Sequence, residues 1–225
     1  MKDARKVIEE VRKVIIGKDS CIYKVMAALL ARGHILIEDI PGVGKTTMAM
    51  AFSKAMSLSQ NRMQFTPDVL PSDVTGYFMY ENGRFQFHKG PIFCHLFLAD
   101  EINRTSPKTQ SALLEVMEEG TVTVDAVTEP VPQPFLVMAT QNPIGSAGTQ
   151  MLPESQLDRF MIKISIGYPS PEQEVEIMKN RHTKDPMEQV NAVVTAEEIV
   201  AMQAIVEQTY IHDLIYQYIV QLVQA

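Results

Sequence analysis

The sequence predicts an α/β fold, a parallel sheet lying between helices, followed by a smaller all-helical part. Three observations support this prediction. A β-branched apolar run at 35–37 stops at a turn rich in Pro and Gly, which leads into a helix-compatible segment. Two later apolar runs, 95–100 and 135–140, end in polar side chains, as expected at the sheet edge where ligands gather. From Ser170 onward helix signals follow one another and strand signals stop.

Chain length and charge limit the function classes. The 225 residues, 46% hydrophobic, suffice for one full domain and a smaller one, which we place at 1–168 and 169–225. The net charge of -7 argues against a protein whose main partner is the nucleic acid backbone. Since no apolar run approaches ~18 residues and the charged N-terminus lacks a signal-peptide core, we expect no membrane span and a cytoplasmic location. Cys21 and Cys94 lie in apolar surroundings without metal-type spacing, so we expect buried, reduced thiols.

The stretch ILIEDIPGVGKTT reads as a strand, a phosphate loop and the start of a helix. Gly42 and Gly44 let successive backbone N–H groups turn inward, towards phosphate oxygens. Lys45 would supply a positive charge to the β- and γ-phosphates, and Thr46 a hydroxyl for Mg²⁺. The usual pattern G-x-x-x-x-G-K-[ST] begins with glycine, whereas this chain has Asp39 there. We expect the Asp39 carboxylate to point away from the phosphates, and a turn that binds nothing is the alternative.

Two amphipathic helices are predicted before this loop, over 3–16 and from Asp19, which we interpret as an N-cap. The apolar break at Ile16 and Gly17 either lets the backbone contact an adenine ring or forms a helix-helix turn, and both interpretations stay open. The predicted nucleotide-binding residues are Ile16, Gly17, Pro41, Gly42, Val43, Gly44, Lys45, Thr46, Thr47 and Asp100.

The run HLFLADEINR ends a predicted strand in two consecutive carboxylates. Asp100 would hold Mg²⁺ together with Thr46, and Glu101 would orient or deprotonate an attacking water. A strand end with solvated acids is the alternative. The position of this run downstream of a phosphate loop, on an α/β chain, favours the catalytic interpretation.

Two further polar residues are candidates for the same site. The strand at 135–140 delivers Asn142 to the ligand edge, where its amide would hydrogen-bond the γ-phosphate or the attacking water. An Asx turn before proline is the alternative. Arg159, in the sequence LDRF, is a candidate finger that reaches the γ-phosphate of a neighbouring subunit. An ion pair within the chain, with Asp158 or another acid, is the alternative.

Two hairpins interrupt the α/β order. Residues 77–87 alternate aromatic side chains around an Asn-Gly pair, which is a strong hairpin signal. Residues 121–131 also alternate but are interrupted by prolines at 130, 132 and 134, which fits an edge hairpin. We expect both hairpins to be inserts, at about 74–90 and 120–134.

The order of these motifs resembles the AAA+ ATPases. The phrases LIEDIPGVGKT, FTPDVLPSDVTGY, ADEINRTSPKTQSALLEVMEE, ATQNPIGSAGT and LPESQLDRF are similar to the MoxR group within them, over roughly residues 10–223. This resemblance implies a five-stranded parallel sheet in the order 5-1-4-3-2. It identifies the first hairpin as the helix-2 insert and the second as the pre-sensor-1 hairpin, elements that in relatives line the pore of a ring or meet its partner.

The resemblance also implies roles and partners. Lys45 and Thr46 match Walker A, Asp100 and Glu101 Walker B, Asn142 sensor 1, and Arg159 the arginine finger, with Arg104 as a second arginine for the subunit interface. The implied cofactors are ATP or ADP and Mg²⁺. The implied assembly is a homo-oligomeric ring, expected to be a hexamer, that remodels or matures a protein client in a chaperone-like way. Relatives often work with a partner that carries a von Willebrand factor A domain.

The sequence departs from the family at the lid. Relatives carry a lid arginine, sensor 2, and no matching motif occurs before Ala225, so we interpret the lid as truncated. We expect nucleotide binding to survive and turnover to suffer, because one cation facing the γ-phosphate is missing.

Two other function classes stay open. A nucleic-acid translocase related to minichromosome maintenance helicases would share both inserts. The acidic net charge argues against it. The small number of basic residues near the first hairpin, Arg84, His88 and Lys89, also argues against it. A non-hydrolysing, nucleotide-gated scaffold is the other class, and Glu101 argues against it because a pure binder has little use for that residue.

Overall fold

The computed structural model describes residues 2–39, 42–81, 83–142, 152–183 and 185–224. Its helices are α1 (Lys2–Arg12), α2 (Asp19–Leu30), α3 (Lys45–Ala55), α4 (Pro71–Thr75), α5 (Pro107–Glu119), α6 (Glu154–Leu157), α7 (Pro171–Thr183), α8 (Ala196–Glu207) and α9 (Asp213–Gln224). Its strands are β1 (Ile35–Glu38), β2 (Gln60–Gln64), β3 (Gly76–Glu81), β4 (Arg84–Lys89), β5 (Leu96–Asp100), β6 (Thr121–Val124), β7 (Val127–Pro130), β8 (Leu136–Gln141) and β9 (Ile162–Ile164).

A five-stranded parallel sheet forms the centre, in the spatial order β2-β5-β8-β1-β9. Counted along the chain without the two hairpins, this is the order 5-1-4-3-2 read from the opposite edge, so the predicted topology is confirmed. Every residue of β5 and β8 is buried, as expected for strands that are covered on both faces. The carboxyl ends of these strands therefore meet in the middle of one sheet edge.

The two faces of the sheet build two hydrophobic cores. Ile35 and Ile37 pack on the side of α1, α2 and α3, where Phe52 is completely buried. Leu36 points to the other side and packs in a core with Leu113 of α5. This alternation with a period of two follows from strand geometry. It holds the sheet between helical layers, with the loop between β1 and α3 at its ligand edge.

Both predicted hairpins are present as separate antiparallel pairs, β3 with β4 and β6 with β7. Asn82, at the turn of the first hairpin, lies outside the described residues. The Phe87 ring contacts the Phe93 ring edge to face, with centroids 5.8 Å apart, and so anchors the base of the first hairpin. Lys89 Nζ lies 3.1 Å from Glu129 Oε2 and connects the two hairpins.

The chain from 170 onward is helical, as predicted. Two capping boxes form, Ser170 with Gln173 before α7 and Thr195 with Glu198 before α8. Gln203 Nε2 donates to a carbonyl of α2 and attaches α8 to the first core. All the side chains of α9 are exposed.

Two predictions about the first helices were wrong. α1 ends at Arg12 rather than at 16, and Lys18, not Asp19, is the residue before α2. The Asp19 carboxylate accepts a hydrogen bond from Arg12 Nε instead of capping the helix. The ion pair across the turn therefore replaces the local cap.

Both cysteines are buried free thiols, as predicted. Burial raises the pKa of Cys94 to about 11, so its reactive thiolate form is scarce at neutral pH.

His34 directly precedes β1, and its buried imidazole connects β8 with α5. We expect it to make the stability of the fold depend on pH. Its Nδ1 accepts from the Val137 N–H at 3.0 Å, so its Nε2 carries the proton and donates to Met117 O at 2.9 Å. Burial lowers the pKa of this imidazole, because the charged form loses its hydration. The fold therefore holds His34 neutral.

We expect the free energy of unfolding to decrease as the pH falls below the unfolded-state value of about 6.5, by at most about 1.4 kcal/mol per pH unit. Stability decreases because, just below a pH of about 6.5, His34 binds a proton in the unfolded chain and not in the folded one. Urea unfolding at pH 7 and pH 5.5 measures the effect, and His34→Gln should reduce the difference. An equal difference in the variant would contradict this role of His34.

Candidate functional site

The loop between β1 and α3 has the backbone conformation that phosphate binding requires. Gly42 and Gly44 have φ of +89° and +91°, which side chains with a Cβ rarely adopt. α3 begins at Lys45, and its N-cap residue, Gly44, has no side chain that could cap the first turn. The N–H groups of this turn therefore point outward from the N-terminus of the helix, which carries partial positive charge. Pro41, a predicted binding residue, lies outside the described residues.

One oxygen of the Asp39 carboxylate is bonded outside this loop, on the side that we predicted. Its Oδ2 accepts from the N–H groups of Ile166 and Gly167, at 2.6 and 2.8 Å, and from Ser165 Oγ at 3.1 Å. The carboxylate is thus used at the joint that leads from β9 to α7. The sequence alone did not reveal these three donors, because they lie far along the chain.

Lys45 lies at the centre of the loop. Its Nζ donates to the Asp39 carbonyl oxygen at 2.7 Å. Burial lowers the pKa of Lys45, and the carboxylates of Asp39, Asp100 and Glu101 partly offset that effect. The ammonium group is therefore partly desolvated, which strengthens its attraction for a phosphate chain, whereas the nearby carboxylates oppose that binding.

Asp100 ends β5 and is held at both carboxylate oxygens. Thr140 Oγ1, on the neighbouring β8, lies 3.2 Å from Oδ1, and Arg62 Nε, on β2, lies 2.6 Å from Oδ2. Arg62 and Thr140 were not among the predicted site residues. The only sequence signal for these two residues was their position on or beside strands that flank β5, the strand that ends at Asp100.

Glu101 follows in a left-handed conformation, with φ of +56°. Asn142 Nδ2 donates to its Oε1 at 3.1 Å, and Arg104 Nη1 donates to its Oε2 at 2.7 Å. The Arg104 guanidinium, and to a lesser extent the Asn142 amide, lowers the pKa of Glu101 against the opposing effect of burial. The structure thus brings Glu101 and Asn142 together, as the strand-edge argument predicts.

These residues surround a polar pocket of about 350 Å³, which we call the phosphate pocket. It is lined by Gly42, Gly44, Lys45, Thr46, Thr47, Arg62, Gln64, Asp100, Glu101, Thr140 and Asn142. Most of the predicted loop residues and the predicted acidic pair therefore line the same pocket, whereas Val43 lines a different one.

A second pocket, of about 360 Å³, adjoins the first and shares Gly42, Gly44 and Thr47 with it. We call it the apolar pocket, and its lining includes Ile15, Ile16, Val43, Ile166, Tyr168 and Met178. Its composition suits a flat, largely apolar ring beside a phosphate site.

Gly17 has a different role from Ile16. It lies in the turn between α1 and α2 with φ of +70°, and a Cβ there would lie 1.9 Å from Gln173 Nε2. For Gly17, the structure therefore shows the helix-helix turn and not the adenine contact. Ile16, in contrast, lines the apolar pocket.

Arg159 lies outside both pockets of its own chain. Its Nε is 3.1 Å from Glu118 Oε2 and its Nη1 donates to Ser155 O at 2.9 Å. Both partners of the ion pair are substantially exposed. The second arginine, Arg104, is paired with Glu101 in the same chain.

Comparison with known proteins identifies the family. The sequence model described as "ATPase family associated with various cellular activities (AAA)" matches residues 34–162. The chain is 48% identical to the protein YeaC of Bacillus subtilis over 97% of its own length, and 42% identical to the chaperone MoxR1 of Mycobacterium tuberculosis over 98%. This chain belongs to the MoxR group of the AAA ATPases.

The solved structures agree with this assignment. A candidate ATPase from Cytophaga hutchinsonii superposes on the whole MoxR-type chain with a TM-score of 0.91 at 41% identity. The chain spans 69% of YeaC, 58% of MoxR1 and 68% of the solved chain. The AAA fold, the ATPase class and the nucleotide-binding function predicted from the sequence are thereby confirmed. Among the described residues, no helix is both long and apolar enough to cross a membrane.

Proposed function

We propose that this chain is the motor part of a Mg²⁺-dependent ATPase that works as a homo-oligomeric ring, expected to be a hexamer, and remodels or matures a protein client. The observation that carries the proposal is the convergence of Lys45, Glu101 and Asn142 on the phosphate pocket. The chaperone MoxR1, which is 42% identical, supports the remodelling part. A partner with a von Willebrand factor A domain rests on the resemblance alone. Buried thiols fit a reducing compartment, and we place the protein in the cytoplasm.

ATP fits the two adjoining pockets. The phosphates would contact the backbone N–H groups of the loop and Lys45, while the adenine would enter the apolar pocket beside Ile16 and Val43. Both pockets are lined by Gly42, Gly44 and Thr47. Binding of base and phosphates would therefore be coupled through one short loop.

The donor set fits Mg²⁺. Asp100 and Thr46 supply hard oxygen donors in the phosphate pocket, which is the ligand type that this ion prefers. Among the described residues, no cluster of three or more His, Cys, Asp or Glu side chains could hold a metal alone. Phosphate oxygens and water would have to complete the shell, as is usual for Mg²⁺ with a nucleotide. The ion would neutralise part of the phosphate charge.

Glu101 and Asn142 are the groups that would act on the attacking water. The hydrogen bonds to both Glu101 oxygens keep this carboxylate ionised and fix its orientation. We assign Glu101 to orienting the water and accepting its proton, and Asn142 to aligning Glu101 with the γ-phosphate. Lys45 would stabilise the charge on the transferring phosphoryl group.

Arg159 would complete the site of a neighbouring subunit. It is exposed and lies outside both pockets of its own chain, so it can meet a γ-phosphate only across an interface. Its exposed pair with Glu118 costs little to break, since such pairs contribute ~0.2–1 kcal/mol.

Nucleotide binding by the Lys45→Gln variant tests the proposed site. We expect Mg²⁺-ATP to bind about 10- to 100-fold more weakly, because a charge-assisted hydrogen bond to a phosphate is lost. Titration calorimetry measures the affinity, and Lys54→Gln, at the other end of α3, is the matched control. Equal affinities of the two variants would contradict the proposed phosphate site.

A further inference from the structure

We propose that Arg62 is the counter-ion of Asp100 in the metal-free site and that Mg²⁺ displaces it when Mg²⁺-nucleotide binds. Arg62 would then oppose metal binding and set the Mg²⁺ requirement of the protein. The inference rests on the proposed function, because it assumes that the phosphate pocket takes a Mg²⁺-nucleotide.

The hydrogen bonds at Thr140 determine which Asp100 oxygen is available. Thr140 Oγ1 accepts from the Glu101 N–H at 2.9 Å, so its own hydroxyl hydrogen is free to be donated to Asp100 Oδ1. That oxygen is therefore held within the sheet. The remaining oxygen, Oδ2, accepts from Arg62 Nε at 2.6 Å, and both residues line the phosphate pocket.

The two side chains of this ion pair differ in exposure and in how easily they can move. Asp100 is 6% exposed, and it ends a strand that is paired on both sides. The Arg62 side chain is 52% exposed and projects from β2, which is an edge strand. An exchange of partners would therefore move the arginine and leave the carboxylate in place, because a guanidinium is easily hydrated once its long stem swings outward.

The charges explain why such an exchange is needed. Without Arg62 or a metal ion, the buried Asp100 carboxylate would lose the cation that is bonded to its Oδ2, which is unfavourable. With Mg²⁺ at the same oxygen, two positive groups would compete for one lone-pair region. Arg62 would thus stabilise the empty site and be released from Asp100 by the metal. Removal of Arg62 should favour the metal-bound state over the empty one.

The test compares ADP binding in Mg²⁺ with ADP binding in EDTA. For Arg62→Gln we expect the ratio of the dissociation constants, EDTA over Mg²⁺, to rise on the order of two- to ten-fold above wild type, as for an ion pair with one exposed member. Calorimetry or a fluorescent ADP measures both constants, and neither readout depends on turnover. Arg62→Lys, which keeps a positive charge at this position, should stay closer to wild type.

Arg32→Gln is the matched control. Arg32 is 51% exposed and its Nε pairs with Glu207 at 3.0 Å, outside both pockets, so its ratio should equal that of wild type. An unchanged or smaller ratio in Arg62→Gln, with ADP still bound by wild type, would overturn the exchange alone. Weaker Mg²⁺-ADP binding at an unchanged ratio would make Arg62 a phosphate ligand and would overturn it too. No ADP binding by wild type would overturn the proposed function itself.

Discussion

Replacing Glu101 by glutamine is expected to lower the turnover number by about 10²- to 10⁴-fold and to leave ATP affinity nearly unchanged. Glutamine keeps the shape of the side chain and can still accept from Asn142, but it cannot take a proton from water. It also removes the negative charge that pairs with Arg104. The loss should therefore appear in catalysis and not in binding.

Steady-state hydrolysis and equilibrium binding of ATP together test this prediction. Glu119→Gln, at the exposed end of α5, makes the same chemical change away from the site and should retain wild-type turnover. A Glu101→Gln protein that hydrolyses ATP at the wild-type rate would remove the assignment of Glu101. ATP binding without turnover, in wild type and variant alike, would favour the non-hydrolysing scaffold.

Replacing Arg159 by alanine is expected to lower turnover by on the order of 10³-fold or more, the effect of losing an arginine that stabilises phosphoryl transfer from another subunit. ATP binding should persist, because Arg159 lines neither pocket of its own chain. Glu118→Ala is the control, since it breaks the same ion pair and leaves the arginine in place. Equal losses in both variants would mean that the ion pair itself matters, not the finger.

Mixing the two inactive proteins shows whether sites are shared. A site that combines Glu101 from an Arg159→Ala subunit with Arg159 from a Glu101→Gln subunit is intact. In an equal, random mixture about one quarter of the head-to-tail interfaces have this composition, one half times one half. We expect hydrolysis to recover in the mixture, and a mixture as inactive as its components would contradict a shared site.

The main strands, and the residues that meet at their carboxyl ends, could be predicted because they follow from local patterns and one topological rule. The order of the strands in the sheet came only from the resemblance to the AAA+ ATPases. Strands 95–100 and 135–140 are short apolar runs, and the carboxyl ends of neighbouring parallel strands must meet, which brings Glu101 to Asn142. The phosphate loop is a contiguous motif whose glycines have the left-handed conformation that it needs.

Contacts set by the pairing between strands could not be predicted. Arg62 reaches Asp100 only because β2 pairs with β5 in a register that places Gln64 opposite Asp100, and nothing in the sequence specifies that register. Asp39 finds its three donors beyond β9 for the same reason. The predicted cap at Asp19 was wrong because a neighbouring guanidinium competes for the carboxylate.

Steady-state ATP hydrolysis by the wild-type chain and by Arg159→Ala, across a wide range of protein concentration, is the most direct test of a site shared between subunits. If each site needs a neighbour, activity per subunit should rise with concentration as subunits assemble, and the variant should stay near zero throughout. A wild-type activity per subunit that is constant with concentration, and equal in Arg159→Ala, would contradict a site completed by the neighbouring subunit.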